Sequence, residues 1–164
     1  MDILNKINQT INTLLPGAIE VSEMSYDFPM FTVKKEKIHE VLSLLKNDEE
    51  LNFHFLTDLT GIQTADEKQL GVIYHLHNMP KNLRIRIKTF FPIEKPEIPT
   101  ATDLWPGANW MERETYDFFG IRFQGHPNLV RILNVDEMDI YPMRKEFPME
   151  DQTREDKEDK MFGR

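Results

Sequence analysis

Hydrophobic residues repeat at helical spacing in two segments of the first fifty residues. The first repeat falls every three or four positions, at Ile3, Ile7, Ile11 and Leu14. The second falls at Ile38, Val41, Leu42 and Leu45. Residues with this spacing share one face of an α-helix. The pattern therefore predicts two amphipathic helices, the first ended by Pro16 and Gly17 and the second ending near Asn47.

Five further segments have the composition and spacing of β-strands, at 18–21, 30–33, 53–59, 70–77 and 83–91. The last one alternates most clearly, because Ile85 and Ile87 fall on one face. Its basic residues fall on the other, at Arg84, Arg86 and Lys88. Such alternation is typical of a strand with one buried side. A sheet with a solvent-facing side is therefore expected.

Several prolines lie in the middle of the chain. Three of them, at 92, 96 and 99, predict an extended connector, because proline cannot donate to a sheet. Pro106 suits the first turn of a helix, and 107–119 contains no helix breaker before Gly120. Helices around sequential strands favour a single-domain α+β fold with a mostly antiparallel sheet. We assign 1–137 to this domain and 138–164 to an extended C-terminal arm, because the pattern is lost from Met138 onward.

Composition narrows the functional classes. The 164 residues carry a formal net charge of −8, which argues against a nucleic-acid partner. The chain has no cysteine, which excludes disulfides, thiol nucleophiles and cysteine-ligated iron–sulfur clusters. No apolar run approaches the roughly 20 residues that span a bilayer, and no signal peptide is visible. We expect a protein without direct membrane insertion, whose redox centres would lie in other chains.

One block of the sequence is highly specific. It runs NWMERETYDFFGIRF over 109–123 and continues with GHP at 125–127 and RIL at 131–133. PTATDLWP at 99–106 precedes it, and PMRKEFP at 142–148 follows. This block resembles the signature of the C-type (30 kDa-type) subunit of the proton-translocating NADH:quinone oxidoreductase, respiratory complex I. LTDLTG at 56–61 is a weaker match.

The resemblance implies a cofactor-free subunit in the peripheral arm of complex I, at the cytoplasmic side of the membrane. Its partners would be the D-type subunit, which carries the quinone site, and the B- and I-type subunits, which carry clusters. FMN, iron–sulfur clusters and quinone would be bound by those and other subunits. The chain would hold its neighbours in position while electrons pass from NADH to quinone. An alternative is the equivalent subunit of an energy-converting hydrogenase or a related dehydrogenase.

The acidic residues of the signature invite a catalytic interpretation. Glu112, Glu114 and Asp117 lie close together, with His126 nearby. Arginines in the same block can pair with these carboxylates, so a structural ion-pair network is favoured over an acid–base pair. We expect no catalytic or metal-binding residue in this chain. The expected interface or structural residues are Trp110, Glu112, Arg113, Glu114, Asp117, Gly120, His126, Pro127, Arg131, Arg144 and Lys145.

Two features outside the signature have competing interpretations. His75 and His77 would share one face of a strand and could begin a zinc site, but no third ligand is apparent. A free-standing metal hydrolase using these histidines with Glu112 and Glu114 therefore stays as a less favoured alternative. The basic residues 84, 86 and 88 could form a contact strip, although a solvated strand face explains them equally well.

The C-terminal arm has a composition suited to lying on another protein. Tyr141 and Phe147 lie near prolines and flank Arg144 and Lys145. We expect this segment to dock on the D-type subunit, with the two basic side chains meeting acidic groups there. The acidic tail after Glu150 has too few apolar residues to order itself alone.

Overall fold

The computed structural model describes residues 3–147, and these form three α-helices and seven β-strands. In chain order the elements are α1 (Ile3–Leu14), β1 (Ile19–Ser25), β2 (Phe28–Val33), α2 (Ile38–Asn47), β3 (Phe55–Gln63), β4 (Gln69–Asn78), β5 (Leu83–Pro92), β6 (Glu97–Pro99), α3 (Ala108–Phe119) and β7 (Arg122–Gln124). The predicted helices and the five predicted strands of the main sheet all form. None of the helices in this described part of the chain is long and apolar enough to cross a membrane.

The main sheet has five strands in the order β1-β2-β5-β4-β3. Three of its four pairings are antiparallel, and β2 pairs with β5 in parallel. The chain leaves β2, forms α2 and the β3–β4 hairpin, and returns along β5 in the centre of the sheet. A second, small sheet joins β6 to β7 in parallel. The single-domain α+β fold with a mostly antiparallel sheet is confirmed.

All three helices pack on one face of the main sheet, which we call the core face. Phe31, Tyr74 and Ile87 are buried there, and Ile7 and Ile11 of α1 belong to the same core cluster. The opposite face, here called the outer face, carries the residues between them in each strand. In β4 and β5 these include His75, His77, Arg84, Arg86 and Lys88. The alternation predicted for β5 is confirmed, since Ile85 and Ile87 are buried.

Helix α3 contacts the sheet most closely at Gly61 in β3. A Cβ atom at this position would lie 2.5 Å from Cδ2 of Phe119, the last residue of α3. Side chains cannot approach so closely, so only glycine lets the Phe119 ring lie directly on β3. This contact positions the C-terminal end of the signature helix against the sheet.

Gly61→Ala should therefore destabilise the protein by about 1–3 kcal/mol, because the Phe119 ring must move out of a well-packed site. The measurement is urea unfolding followed by circular dichroism. Gly107→Ala is a matched control, since Gly107 has φ −64° and a Cβ atom there would meet nothing within 4 Å. The control should change the unfolding free energy by less than about 0.5 kcal/mol. Equal effects of the two substitutions would contradict the packing argument.

Candidate functional site

The signature block folds as α3 and the loops around it. Gly120 ends the helix in the left-handed conformation, with φ 71°, and its N–H donates to the carbonyl of Tyr116. This is the role expected of a glycine that follows a helix. After β7, residues 125–147 run back across α3 without forming a further helix or strand. The polar side chains of the signature connect these loops to the helix.

The Asp117 carboxylate accepts four hydrogen bonds, and the residue is completely buried. Its Oδ2 accepts backbone N–H groups from Ile132, Leu133 and Asn134 at 2.8–3.1 Å. Its Oδ1 accepts from Nη1 of Arg131 at 2.7 Å. Burial by itself would raise the pKa of this carboxyl. The three N–H donors and the guanidinium outweigh burial and hold the pKa of Asp117 well below its usual range.

Arg131 extends this connection to the start of the arm. Its Nη1 also donates to the backbone carbonyl of Asp117, and its Nη2 donates to the carbonyls of Met138 and Ile140. The guanidinium lies 5.2 Å from the ring centroid of Tyr141, a cation–π distance. One side chain therefore joins the helix to two later segments.

Glu112 is the second fully buried carboxylate of α3. Its Oε2 accepts the hydroxyl proton of Thr100 at 2.5 Å, and its Oε1 accepts the N–H of Ala101 at 2.6 Å. Burial raises the pKa of Glu112 to about 7, and the Asp103 charge adds to the rise, while the two hydrogen bonds oppose it. The bonds join α3 to the loop that follows β6.

Arg113 and His126 connect the helix to the loop after β7. The Arg113 guanidinium donates to the carbonyls of Val130 and Arg131 at 3.1 and 3.0 Å. It also lies 5.1 Å from the ring centroid of Trp110, which is 62% exposed. Nε2 of His126 bonds the Asn109 carbonyl, and its Nδ1 accepts the N–H of the residue after Pro127. These bonds form a hydrogen-bonded turn at His126 and Pro127.

Arg144 is held by its own chain. Its Nε donates to the carbonyl of Phe119 at 2.7 Å, and its guanidinium lies 4.8 Å from the ring centroid of Tyr141. Its side chain is largely enclosed beside Gly120. The expected contact with acidic groups of another subunit stays a prediction. Lys145 is exposed, but its Nζ bonds the Thr64 carbonyl in the β3–β4 hairpin. The remaining tail, from 148 onward, lies outside the described residues.

The structure corrects one expectation about the ion-pair network. Asp117 pairs with arginine as expected, but Glu114 is exposed, and within residues 3–147 it forms no ion pair. A carboxylate reaches a buried partner only from the face that the fold covers, and sequence spacing alone does not identify that face.

The hypothetical metal site does not assemble. His75 and His77 lie on the outer face, whereas Glu112 is buried beneath α3 on the core side. In the part of the chain that the structure describes, no three histidine, aspartate or glutamate side chains converge on one point. The hydrolase alternative has no geometric basis among these residues.

Sequence reasoning named Trp110 as an interface residue but missed the exposed apolar residues of the loop after β7. Trp110, Val130, Leu133 and Val135 are between 43% and 66% exposed. They lie in one region, because Arg113 contacts both Trp110 and Val130, and Asp117 holds the backbone at Leu133. We call these four residues the apolar surface. The RIL motif at 131–133 identified this loop as part of the signature, but it did not show which side chains of the loop would be exposed.

Removing the Asp117 carboxylate should be severely destabilising. Asp117→Ala leaves the Arg131 cation and three N–H donors without their acceptor, which should cost about 3–5 kcal/mol. Glu114→Ala, three residues earlier on the same helix, should cost less than about 0.5 kcal/mol. Chemical denaturation of both variants measures the difference. Comparable losses would show that the buried pair is not the structural centre of the signature.

Glu112 should make stability depend on pH. Its folded-state pKa of about 7 lies above the ordinary value of 4.5, so the native state binds more protons between these values. Stability should therefore fall as pH rises from about 4.5 to 7, by an amount on the order of 3 kcal/mol. Glu112→Gln should remove this slope. Unfolding curves of both proteins at several pH values test it, and parallel profiles would contradict the assignment.

The chain resembles known proteins in both its sequence and its fold. The model of the family described as respiratory-chain NADH dehydrogenase, 30 kDa subunit, matches residues 31–153. The C-type subunit of NADH-quinone oxidoreductase from Citrifermentans bemidjiense is 46% identical over 125 residues, covering 76% of each chain. The Roseiflexus sp. (strain RS-1) protein of the same name is 40% identical over 143 residues, covering 86% of this chain and 82% of the relative.

Two solved structures have the same fold. One is a chain in the structure of the membrane-bound sulfane sulfur reductase, an archaeal respiratory membrane complex, with a TM-score of 0.74 and 30% identity. The match covers 88% of this chain and 85% of that one. The other is the trypsin-resistant fragment (1–134) of Nqo5, with a TM-score of 0.63 and 27% identity, covering 76% and 99%. The chain belongs to the family of 30 kDa subunits of the respiratory-chain NADH dehydrogenase.

Proposed function

We propose that this chain is a cofactor-free structural subunit of the peripheral arm of NADH:quinone oxidoreductase. In this proposal it positions the D-type subunit with the quinone site and the cluster-bearing B- and I-type subunits. Electrons would then pass from NADH to quinone through groups bound by those and other subunits, coupled to proton translocation. This subunit would lie at the cytoplasmic side of the membrane, as part of the membrane-bound complex. Family membership supports the assembly, and the geometry of the signature supports the role.

The observation that supports the structural role is that the two buried carboxylates of the signature, Glu112 and Asp117, are already bonded within the fold. Asp117 has a depressed pKa and four donors on its two oxygens, so it is a poor proton acceptor. Glu112 has a pKa of about 7, which suits an acid catalyst, but the residue is completely buried. Its two oxygens are bonded to Thr100 and Ala101. The bonding of both groups within the fold supports a structural rather than a catalytic role.

The exposed residues of the signature suit a partner interface instead. A group of large apolar side chains exposed together on a protein usually marks a surface that binds another protein. The apolar surface consists of Trp110, Val130, Leu133 and Val135, and tryptophan is frequent among residues that dominate binding energy. The internal ion pair at Asp117 holds the loop that presents Leu133. The buried network thus keeps this surface in one conformation.

The proposal predicts that the apolar surface is required for assembly. An N-terminally tagged copy should replace the native one in the source organism, and the complex should be purified from its membranes. The unsubstituted chain should copurify with a D-type subunit and with NADH:quinone reductase activity. Trp110→Ala combined with Leu133→Ala should lower the recovery of that complex by about tenfold or more, because interface anchors contribute most of the binding energy.

Tyr26→Ala is the control for this experiment. Tyr26 is 95% exposed in the β1–β2 turn, far along the chain from the signature. Its removal should leave recovery unchanged. Full assembly of the double variant would contradict the proposed interface. An active complex that lacks this chain would contradict the structural role.

A second candidate follows from the similarity to the archaeal sulfane sulfur reductase chain. In that case the chain would be the equivalent subunit of a related membrane-bound oxidoreductase, such as an energy-converting hydrogenase. The large subunit that copurifies with the chain distinguishes the two candidates. Retention of paired nickel-binding cysteines in that subunit, or failure to oxidise NADH, would favour the second candidate.

A further inference from the structure

The outer face of the main sheet has a basic centre. Arg84, Arg86 and Lys88 lie along β5, which is the third of five strands. His75 pairs with Arg86 in the register of β4 and β5, and His77 pairs with Arg84. No helix of residues 3–147 covers this face, because all three pack on the other side. Five nitrogen-bearing side chains therefore share the middle of an open sheet.

This concentration of positive charge is unusual for a chain whose net charge is −8. Among the described residues, none of the three basic side chains of β5 forms an ion pair. Acidic residues of this face occur toward its two edges, at Asp58 in β3 and Glu23 in β1. Burial and the neighbouring Arg86 lower the pKa of His75, which disfavours its charged form. The centre of the face thus has a net positive charge.

Two polar atoms on this face are buried without a partner. Within the part of the chain that the structure describes, neither Nε of Arg86 nor Nε2 of His77 has a hydrogen-bond partner. Buried polar groups in native proteins are almost always paired. The described residues therefore leave these two polar groups unpaired at the centre of the outer face.

An apolar border lies beside the basic centre. The Phe90 ring lies across Gly71, where a Cβ atom would be 2.7 Å from its Cδ1. Ile73 and Ile62 follow on β4 and β3, and they are only partly buried. Phe55 is exposed next to His77. Arginine together with aromatic and aliphatic side chains is the composition of a protein–protein interface rather than of a purely solvated surface.

We propose that the outer face docks an acidic polypeptide segment of another subunit, with carboxylates paired to Arg84, Arg86 and Lys88. This inference rests on the proposed function only in placing that segment within the same complex. Charge complementarity identifies the occupant, because carboxylates would neutralise the unpaired cations of β5. The apolar border would contact the non-polar side chains of the same segment. The interface is separate from the apolar surface around Trp110, because the two occupy opposite sides of the sheet.

Charge reversal in the assembled complex tests the proposal. The variant Arg84→Glu with Lys88→Glu reverses two of the three cations and leaves Arg86, whose Nε is buried, intact. Lys34→Glu with Lys68→Glu is the matched control, because it makes the same change in charge at exposed loop positions. Each tagged full chain replaces the native copy, and its retention in the membrane-extracted complex is measured at increasing salt.

Retention of the outer-face variant should fall by about tenfold, while the control stays within about twofold of the unsubstituted chain. Thermal melts of both full chains check that they fold. If the charge-reversed variant does not fold, the neutral variant Arg84→Gln with Lys88→Gln replaces it and should show a smaller loss of retention in the complex. Equal retention of both reversals would overturn the proposal. If even the unsubstituted chain fails to copurify with the complex, the proposed function is wrong rather than this surface assignment.

Carbodiimide cross-linking of the purified complex identifies the occupant, because this reagent joins a lysine amine directly to a carboxylate in contact with it. Lys88 should cross-link to an aspartate or glutamate of another subunit, as mapped by mass spectrometry. A cross-link from Lys88 only to acidic residues between 150 and 159 of this chain would assign the face to its own tail. That result would overturn the partner proposal, as would the absence of any cross-link at Lys88.

Discussion

The buried carboxylate of Asp117 is the interaction on which the C-terminal half of this fold depends. A charged group can be buried only when its hydrogen-bonding capacity is met, and here three backbone N–H groups and Arg131 meet it. The same guanidinium then bonds carbonyls of Met138 and Ile140. Residues 131–141 form no helix or strand. Their conformation is therefore set by this one side-chain pair rather than by a repeating backbone pattern.

Glu112 and Arg144 repeat the same arrangement at the two ends of α3. Glu112 binds the loop before the helix, and Arg144 binds the carbonyl of Phe119 at its end. The helix is thus joined to the loops around it by charged groups that bond to the backbone. A backbone acceptor or donor does not depend on the identity of the residue that supplies it. The specificity of the signature lies in the charged side chains and in the glycines that allow close approach.

This arrangement explains how a sequence block full of acids and bases can serve assembly rather than catalysis. Glu112 and Asp117 are directed inward, where they hold the loops, and apolar residues such as Trp110 and Leu133 are left exposed. On the other side of the sheet the distribution is reversed, with cations that face outward and form no ion pair within residues 3–147. Two chemically different surfaces on opposite sides of one domain suit a protein that contacts more than one neighbour.

The sequence by itself determined the local elements, because helical spacing at Ile7 and Ile11, alternation in β5 and the stop at Gly120 depend only on nearby residues. It also determined the family, through the density of matched positions around α3. Only the tertiary structure decided the parallel pairing of β2 with β5, which joins segments more than fifty residues apart. It likewise decided that Arg144 faces inward and Glu114 outward, since burial depends on what packs against a side chain.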